Sequence, residues 1–204
     1  MSERIRTAIL ISGRGSNMRA LIEAAKAEDY PAGIALVVSN VADAEGLKFA
    51  AASGIATKTI SHKGFASREA FDEAVDAMLR EAKIEIVCLA GFMRILSAWF
   101  AKKWQGHLLN IHPSLLPSFK GVHVHEQALA AGVRVSGCTV HFVVPELDAG
   151  PIIAQTAVPV ETDDTPDTLA ARVLYAEHRL YPHALKMLAG GRVKLGNGRA
   201  IFVD

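Results

Sequence analysis

The sequence predicts a doubly wound α/β fold: a mostly parallel sheet with an antiparallel C-terminal portion and helices on both faces. Continuous apolar, β-branched runs at residues 7–11, 34–39 and 84–89 are typical of strands that are covered on both sides. Helical periodicity between these runs indicates βαβ units. Two later strand-like runs, separated only by a turn-rich segment, indicate an antiparallel pair.

Each element of the first half has a local signal. Residues 7–11 lead into a glycine-rich turn and then a helical pattern, which predicts strand, turn and helix. Residues 44–52 have helical spacing and are followed by Gly54, a helix-ending residue. Residues 68–82 repeat the helical spacing after Ser67, a residue suited to N-capping. The alternation predicts βαβαβ.

The second half predicts two hairpins with a long helix between them. Residues 137–144 and 152–160 are strand-like and flank a turn. An amphipathic helix is predicted over residues 165–189, where a capping threonine precedes a first-turn proline and an acid. Residues 193–203 resemble two short strands around an Asn-Gly pair, which is typical of a type I′ turn.

The composition is that of a globular protein. Half of the 204 residues are apolar and 21% are charged, enough to build a buried sheet, and we expect one domain over residues 1–204. The 22 Lys and Arg residues nearly equal the 21 Asp and Glu residues, so we expect no nucleic-acid partner.

The chain shows no targeting or redox signal. Residues 1–6 are polar, unlike a secretory leader, and charged residues interrupt the apolar region 84–100, so we expect no membrane partner. Cys88 and Cys138 lie in apolar runs and indicate buried thiols rather than a disulfide. A cytoplasmic location fits these features.

Residues 12–17, Ser-Gly-Arg-Gly-Ser-Asn, lie between the first strand and the first helix. Small residues there let backbone N–H groups and the helix N-terminus close around an anion. Neither the third glycine of a dinucleotide fingerprint nor the Lys-Ser/Thr pair of a P-loop is present. A monophosphate fits best; a glycine turn that only joins strand to helix is the alternative.

Two further motifs carry polar side chains. Asn110 and His112 are two residues apart before Pro113, so they project from one face at the end of a strand, where open α/β sheets bind ligands. A capped or solvent-facing histidine is the alternative. Asp148 lies in a sharp turn, where Asp often bonds only its own backbone. A carboxylate beside His112 would instead orient the imidazole and favour its protonated form.

Two clusters suggest other functions that we do not expect. Four histidines, at positions 107, 112, 123 and 125, match no closed zinc template and have no thiolate nearby, so we expect no metal. The aromatic residues of segment 99–104 are more typical of a core or an interface than of a platform for stacking bases.

Segments 12–17, 90–96, 110–117 and 147–151 together resemble phosphoribosylglycinamide formyltransferases. The resemblance covers nearly the whole chain, including motif order and spacing. Methionyl-tRNA formyltransferase shares a His-x-Ser-Leu-Leu-Pro signature but adds a C-terminal domain, for which we expect no room. Formyltetrahydrofolate hydrolase adds a preceding domain and usually has a second histidine where Pro113 stands.

The resemblance implies formyl transfer from 10-formyltetrahydrofolate, a cosubstrate, to the amine of phosphoribosyl-glycinamide in de novo purine synthesis, without a metal. It implies small-molecule partners and a monomer or homodimer. The implied catalytic residues are Asn110, His112 and Asp148. The implied binding residues are Gly15, Ser16 and Asn17 for the substrate phosphate, Glu177 for the ribose, and Arg68, Met93, Arg94, Ile95, Leu96 and Asn110 for the folate.

The chemistry of formyl transfer explains that catalytic set. Attack of the amine on the formyl carbon places negative charge on oxygen, which the Asn110 amide and a protonated His112 would stabilise. Asp148 and His112 would move the protons. A folate hydrolase, a formyltransferase for another amine such as a nucleotide sugar, and a non-catalytic phosphate-binding module are the alternatives.

Overall fold

A computed structural model describes residues 4–203 of the chain. Residues 1–3, part of the polar N-terminal segment, and residue 204, the end of the expected domain, lie outside the described residues. The elements in chain order are β1 Ile5–Ile11, α1 Ser16–Ala24, β2 Ala32–Ser39, α2 Glu45–Ala52, β3 Ala56–Thr59, α3 Arg68–Glu81, β4 Ile86–Leu89, α4 Ala98–Lys103, β5 Leu108–His112, α5 Val124–Ala130, β6 Val135–Phe142, β7 Ile152–Pro159, α6 Pro166–Ala189, β8 Val193–Gly196 and β9 Arg199–Phe202.

The predicted fold class is confirmed. A seven-stranded sheet has the order β3-β2-β1-β4-β5-β6-β7, with the first five strands parallel and β6 and β7 antiparallel. The strand order reverses at β1, because β2 lies on one side of it and β4 on the other. Such a reversal leaves a crevice at the carboxyl ends of the strands, where open α/β sheets bind ligands.

The helices cover both faces of the sheet because β1 alternates its side chains between two cores. Ile9 and Ile11 pack in the core that contains α1 and α6. Ala8 and Leu10 pack in the core that contains α3 and α4. Burial on both faces explains why the central strands are continuously apolar.

Three elements were not predicted from the sequence patterns: β3, α5 and the six-residue helix α4. β3 is a four-residue strand, Ala-Thr-Lys-Thr, at the edge of the sheet, where within residues 4–203 it pairs only with β2. It is largely exposed and so has no apolar run. α5 begins after His123, whose φ of 56° is left-handed and whose side chain caps no N–H of the helix in the described part of the chain. Neither β3 nor α5 therefore carries the local signal on which the predictions relied.

The predicted helix caps and the burial of both thiols are confirmed. The Ser67 side chain accepts the Ala70 N–H and caps α3, and Thr165 caps α6. Both cysteines are free and buried, and burial raises the pKa of each thiol to about 12. No helix within residues 4–203 combines the length and apolarity needed to span a bilayer.

Tyr181 links α6 to the two strands that lead into the crevice. Its hydroxyl lies 3.0 Å from the Leu89 carbonyl oxygen and 3.2 Å from the Leu109 carbonyl oxygen, and the side chain is fully buried. A buried hydroxyl that donates to a carbonyl stabilises a fold modestly, but removing it leaves the acceptor without a donor.

We predict that Tyr181→Phe lowers the free energy of unfolding by about 1–2 kcal/mol, because two buried carbonyls lose their shared donor. Urea denaturation measures this change. Tyr175→Phe, on the exposed side of the same helix, is the matched control and should change stability by less than about 0.5 kcal/mol. Equal effects of the two substitutions would contradict the role of the hydroxyl.

Candidate functional site

A cavity of about 570 Å³ opens at the carboxyl ends of β4 and β5. Its floor includes Asn110 and His112, and its walls are segment 91–96, the start of α5 and turn 143–148. Cavities of this size and mixed apolar and polar lining hold small organic ligands. The cavity lies beside the reversal of strand order, as the fold predicts.

Asn110, His112 and Asp148 converge on this cavity. The His112 Nδ1 atom lies 3.5 Å from Asp148 Oδ2, although the two residues are 36 positions apart in the chain. Asn110 and His112 project from the same face of β5, and Pro113 follows the last strand residue. Both His112 and Asp148 are almost fully buried, so their contact is weakly screened by water.

The position of Asp148 depends on a strained, tightly packed turn. Asp148 has a left-handed φ of 48°, and its Oδ2 atom accepts the Gly121 N–H at 2.9 Å. At Gly150, a Cβ atom would lie 1.7 Å from the Phe142 carbonyl oxygen. Only glycine therefore allows the turn to lie so close to β6 and to return Asp148 to His112.

The hydrogen bonds of His112 constrain its tautomer. Its Nε2 atom lies 2.9 Å from the Phe119 carbonyl oxygen, which cannot donate, so Nε2 carries a hydrogen. The other ring nitrogen, Nδ1, faces Asp148 Oδ2 at 3.5 Å. Contacts at both ring nitrogens therefore fix the orientation of the imidazole.

His141 is a residue of the site that the sequence did not single out. Its Nδ1 atom donates to the Phe142 carbonyl at 2.9 Å, so Nε2 accepts from the Asn110 amide at 3.2 Å. Burial lowers the pKa of His141, which keeps the ring neutral. This contact fixes the orientation of the Asn110 amide and leaves its second Nδ2 hydrogen for another acceptor. His141 lies opposite Asn110 because β5 and β6 pair antiparallel, and no local sequence pattern predicts that pairing.

The second predicted region lies at the β1–α1 junction. Gly15 has a left-handed φ of 71°, and α1 starts at Ser16. The Asn17 amide donates to Glu177 Oε2 at 2.8 Å, so the structure brings these two predicted residues together. Burial raises the pKa of Glu177 to about 7, against a smaller lowering by the Asn17 hydrogen bond. Asn17 Oδ1 is buried and has no hydrogen-bond partner within residues 4–203.

The predicted folate-binding residues divide into two groups. Four of them line the cavity: Met93, Arg94, Ile95 and Leu96. Met93 is 72% exposed and Ile95 is 60% exposed, so two apolar side chains border the opening largely in contact with solvent. Arg68 does not line the cavity; it is an exposed residue at the start of α3.

His123 and His125 also line the cavity. His123 is exposed and lies 3.4 Å from Glu126, whereas burial lowers the pKa of the half-buried His125. Among the residues that the structure describes, no group of three His, Cys, Asp or Glu side chains is arranged to hold a metal ion.

Comparisons with known proteins give a consistent result. The chain matches the formyl transferase family over residues 5–185. It is 55% identical over 200 residues to "Trifunctional purine biosynthetic protein adenosine-3" of Gallus gallus, covering 98% of this chain but 20% of that protein. It is 46% identical to "Phosphoribosylglycinamide formyltransferase" of Escherichia coli (strain K12), covering 94% of this chain and 91% of that protein.

The chain therefore spans about a fifth of the length of the trifunctional relatives that it matches. A solved structure, glycinamide ribonucleotide transformylase 1 from Symbiobacterium toebii, is 41% identical with a TM-score of 0.96. That match covers 100% of this chain and 96% of the solved chain.

The titration of Glu177 predicts a pH-dependent stability. Its pKa of about 7 in the fold exceeds its ordinary value of 4.5, so folding favours the protonated form. This contribution to stability is fully present below the unfolded pKa and is lost as the pH rises through about 7. The free energy of unfolding of Glu177→Gln minus that of the native chain should therefore be larger at pH 8.5 than at pH 5.5. The expected increase in this difference is on the order of 2–3 kcal/mol.

Urea unfolding at the two pH values measures this difference for Glu177→Gln. Glu73→Gln, which removes an exposed carboxylate on α3, is the control and should show no such pH-dependent gain. A Glu177→Gln protein whose stability follows the native pH profile would contradict the buried-acid interpretation.

Proposed function

The chain belongs to the formyl transferase family, and from this premise we propose that it transfers a formyl group from 10-formyltetrahydrofolate to the amine of phosphoribosyl-glycinamide. The products are phosphoribosyl-N-formylglycinamide and tetrahydrofolate, within purine biosynthesis. The observation that carries the proposal is the convergence of Asn110, His112 and Asp148 at the base of a cavity large enough for a pterin.

Asn110 and His112 stabilise the oxygen of the tetrahedral intermediate. The amine nitrogen bonds to the formyl carbon, and the carbonyl electron pair moves to oxygen. The Asn110 amide, held by His141, directs its second Nδ2 hydrogen to that oxygen. His112 Nε2 donates to the Phe119 carbonyl in the free chain, and a substrate oxygen that replaces this carbonyl receives the same hydrogen.

Proton transfer balances the reaction. The attacking ammonium loses a proton, the bond between formyl carbon and folate nitrogen breaks, and that nitrogen gains a proton. Asp148 and His112 carry these protons because they are adjacent and line the same cavity. The oxidation state of the carbon does not change, so we propose no metal or redox cofactor; elemental analysis of the purified protein tests this.

The binding roles follow the two regions of the site. Gly15, Ser16 and Asn17 hold the phosphate at the positive end of α1, and Glu177 binds the ribose. Segment 93–96 holds the pterin, and Arg68 contributes at the periphery from the start of α3. We propose only small-molecule partners, with a monomer or homodimer as the assembly.

We predict that Asn110→Ala lowers kcat by roughly 10²–10³-fold, because one oxyanion donor is lost. The absorbance change that accompanies formation of tetrahydrofolate measures the rate. Gln105→Ala removes an exposed amide outside the cavity and is the matched control, with kcat expected within about twofold of native. An Asn110→Ala enzyme that retains native kcat would exclude the amide from the transition state.

Dependence on the acceptor tests the proposed reaction itself. Release of tetrahydrofolate should require phosphoribosyl-glycinamide and should be matched one for one by formylated product, both measured by chromatography. Folate release without the acceptor would indicate a hydrolase, and transfer to another amine would indicate a different acceptor. A chain that binds phosphate esters but produces no tetrahydrofolate would be a binding module only.

A further inference from the structure

The loops that follow three adjacent strands meet at one side chain that the proposed mechanism does not use. Ser12 follows β1, Asn40 follows β2, and Gly91 follows β4, and β1 lies between the other two strands in the sheet. The Ser12 hydroxyl donates to Asn40 Oδ1 at 2.5 Å and accepts the Met93 N–H at 2.7 Å. The Ser12 N–H also donates to the Gly91 carbonyl at 3.1 Å.

These bonds join the two proposed substrate loops. Ser12 is the first residue of the phosphate loop, residues 12–17, and Gly91 and Met93 begin the folate loop, residues 91–97. The phosphate loop is also held from its other side, where the Gly46 N–H donates to the Gly13 carbonyl. A Cβ atom at Gly46 would lie 2.6 Å from Ile11 Cδ1 and 3.1 Å from the Gly13 oxygen, so this packing leaves little room for adjustment.

The folate loop has a second anchor at its far end. The Ser97 N–H donates to Asp72 Oδ2 at 2.6 Å, and both side chains are buried. Between the two anchors, Met93 and Ile95 are largely exposed and contribute little packing of their own. The path of the segment that borders the cavity therefore depends on its ends, and Ser12 sets the end nearer the phosphate loop.

We propose that Ser12 is a positioning residue that couples the acceptor site to the folate site. This inference rests on the proposed function, because it assigns the acceptor phosphate to residues 15–17 and the folate to residues 93–96. A phosphate that orders the phosphate loop also orders the Ser12 hydroxyl and, through Met93, the start of the folate loop. Binding of either substrate then changes the affinity for the other, and by the same factor.

The solvent exposure of the bond between Ser12 and Met93 predicts that its loss affects substrate binding more than stability. The Met93 N–H is exposed, so water replaces a lost hydroxyl with little cost in stability. Water does not fix the distance between the two loops, however. Removal of the hydroxyl should therefore affect the alignment of the two substrates more than the fold, unlike a substitution that only weakens the core.

We predict that Ser12→Ala raises the KM for 10-formyltetrahydrofolate roughly three- to tenfold, the range expected for one net hydrogen bond. The KM for phosphoribosyl-glycinamide, measured at saturating folate, should rise by a comparable factor, because the coupling that is lost is reciprocal. Steady-state kinetics measure both constants, and thermal melting verifies that the variant is folded.

Calorimetry provides a readout that loss of packing alone would not change. The probe is tetrahydrofolate, which has no formyl group to transfer, titrated with and without saturating phosphoribosyl-glycinamide. For the native chain, saturating phosphoribosyl-glycinamide should change the affinity for tetrahydrofolate by roughly threefold or more. For Ser12→Ala, the affinity for tetrahydrofolate should be nearly the same with and without the acceptor. Asn40→Ala, which removes the partner that orients the hydroxyl, should reduce the coupling in the same direction.

Ser39→Ala is the matched control. The Ser39 hydroxyl, at the end of β2, bonds only Val41 within residues 4–203, and it does not reach the folate loop. Native coupling in folded Ser12→Ala, absence of coupling in the native chain, or equal loss of coupling in Ser39→Ala would each overturn the proposal. Failure of the proposed function is distinguishable, because the native chain would then produce no formylated acceptor.

Discussion

The antiparallel pairing of β6 with β5 is the constraint on which the site depends. This pairing places His141 opposite Asn110 and Thr139 opposite His112. The chain then turns through residues 143–151 and returns along β7, and the glycine at position 150 lets the turn approach β6 closely enough for Asp148 to reach His112. A parallel sixth strand would place its carboxyl end, and the turn after it, differently.

The same pairing gives two buried histidines different partners. The Nε2 atom of His141 accepts from the Asn110 amide, and burial lowers the pKa of this ring, which favours its neutral form. The Nε2 atom of His112 instead donates to the Phe119 carbonyl, and its Nδ1 atom faces Asp148. One histidine therefore orients the Asn110 donor, and the other presents its own N–H to an acceptor.

The second constraint is the reversal of strand order at β1. It brings the loops after β1, β2 and β4 to a single edge, where Ser12, Asn40 and Met93 are hydrogen-bonded. Near the same edge, Glu177 of α6 accepts from Asn17, and burial raises the pKa of its carboxyl group. The proposed phosphate and folate sites are consequently parts of one hydrogen-bonded edge rather than independent pockets.

The sequence by itself determined the class of fold and most of its elements, because continuous apolar strands, helix caps and turn residues are local signals. Asn110 and His112 were readable as a pair for the same reason, since alternate residues of one strand share a face. The turn pattern marked Asp148 as a candidate partner of His112, and the resemblance to a family added Glu177. Only the tertiary structure decided that Asp148 contacts His112, that His141 holds Asn110, that Arg68 lies outside the cavity, and that β3 and α5 exist. Those facts depend on strand register, edge pairing and close backbone approach, which arise between distant segments and leave no pattern within either segment alone.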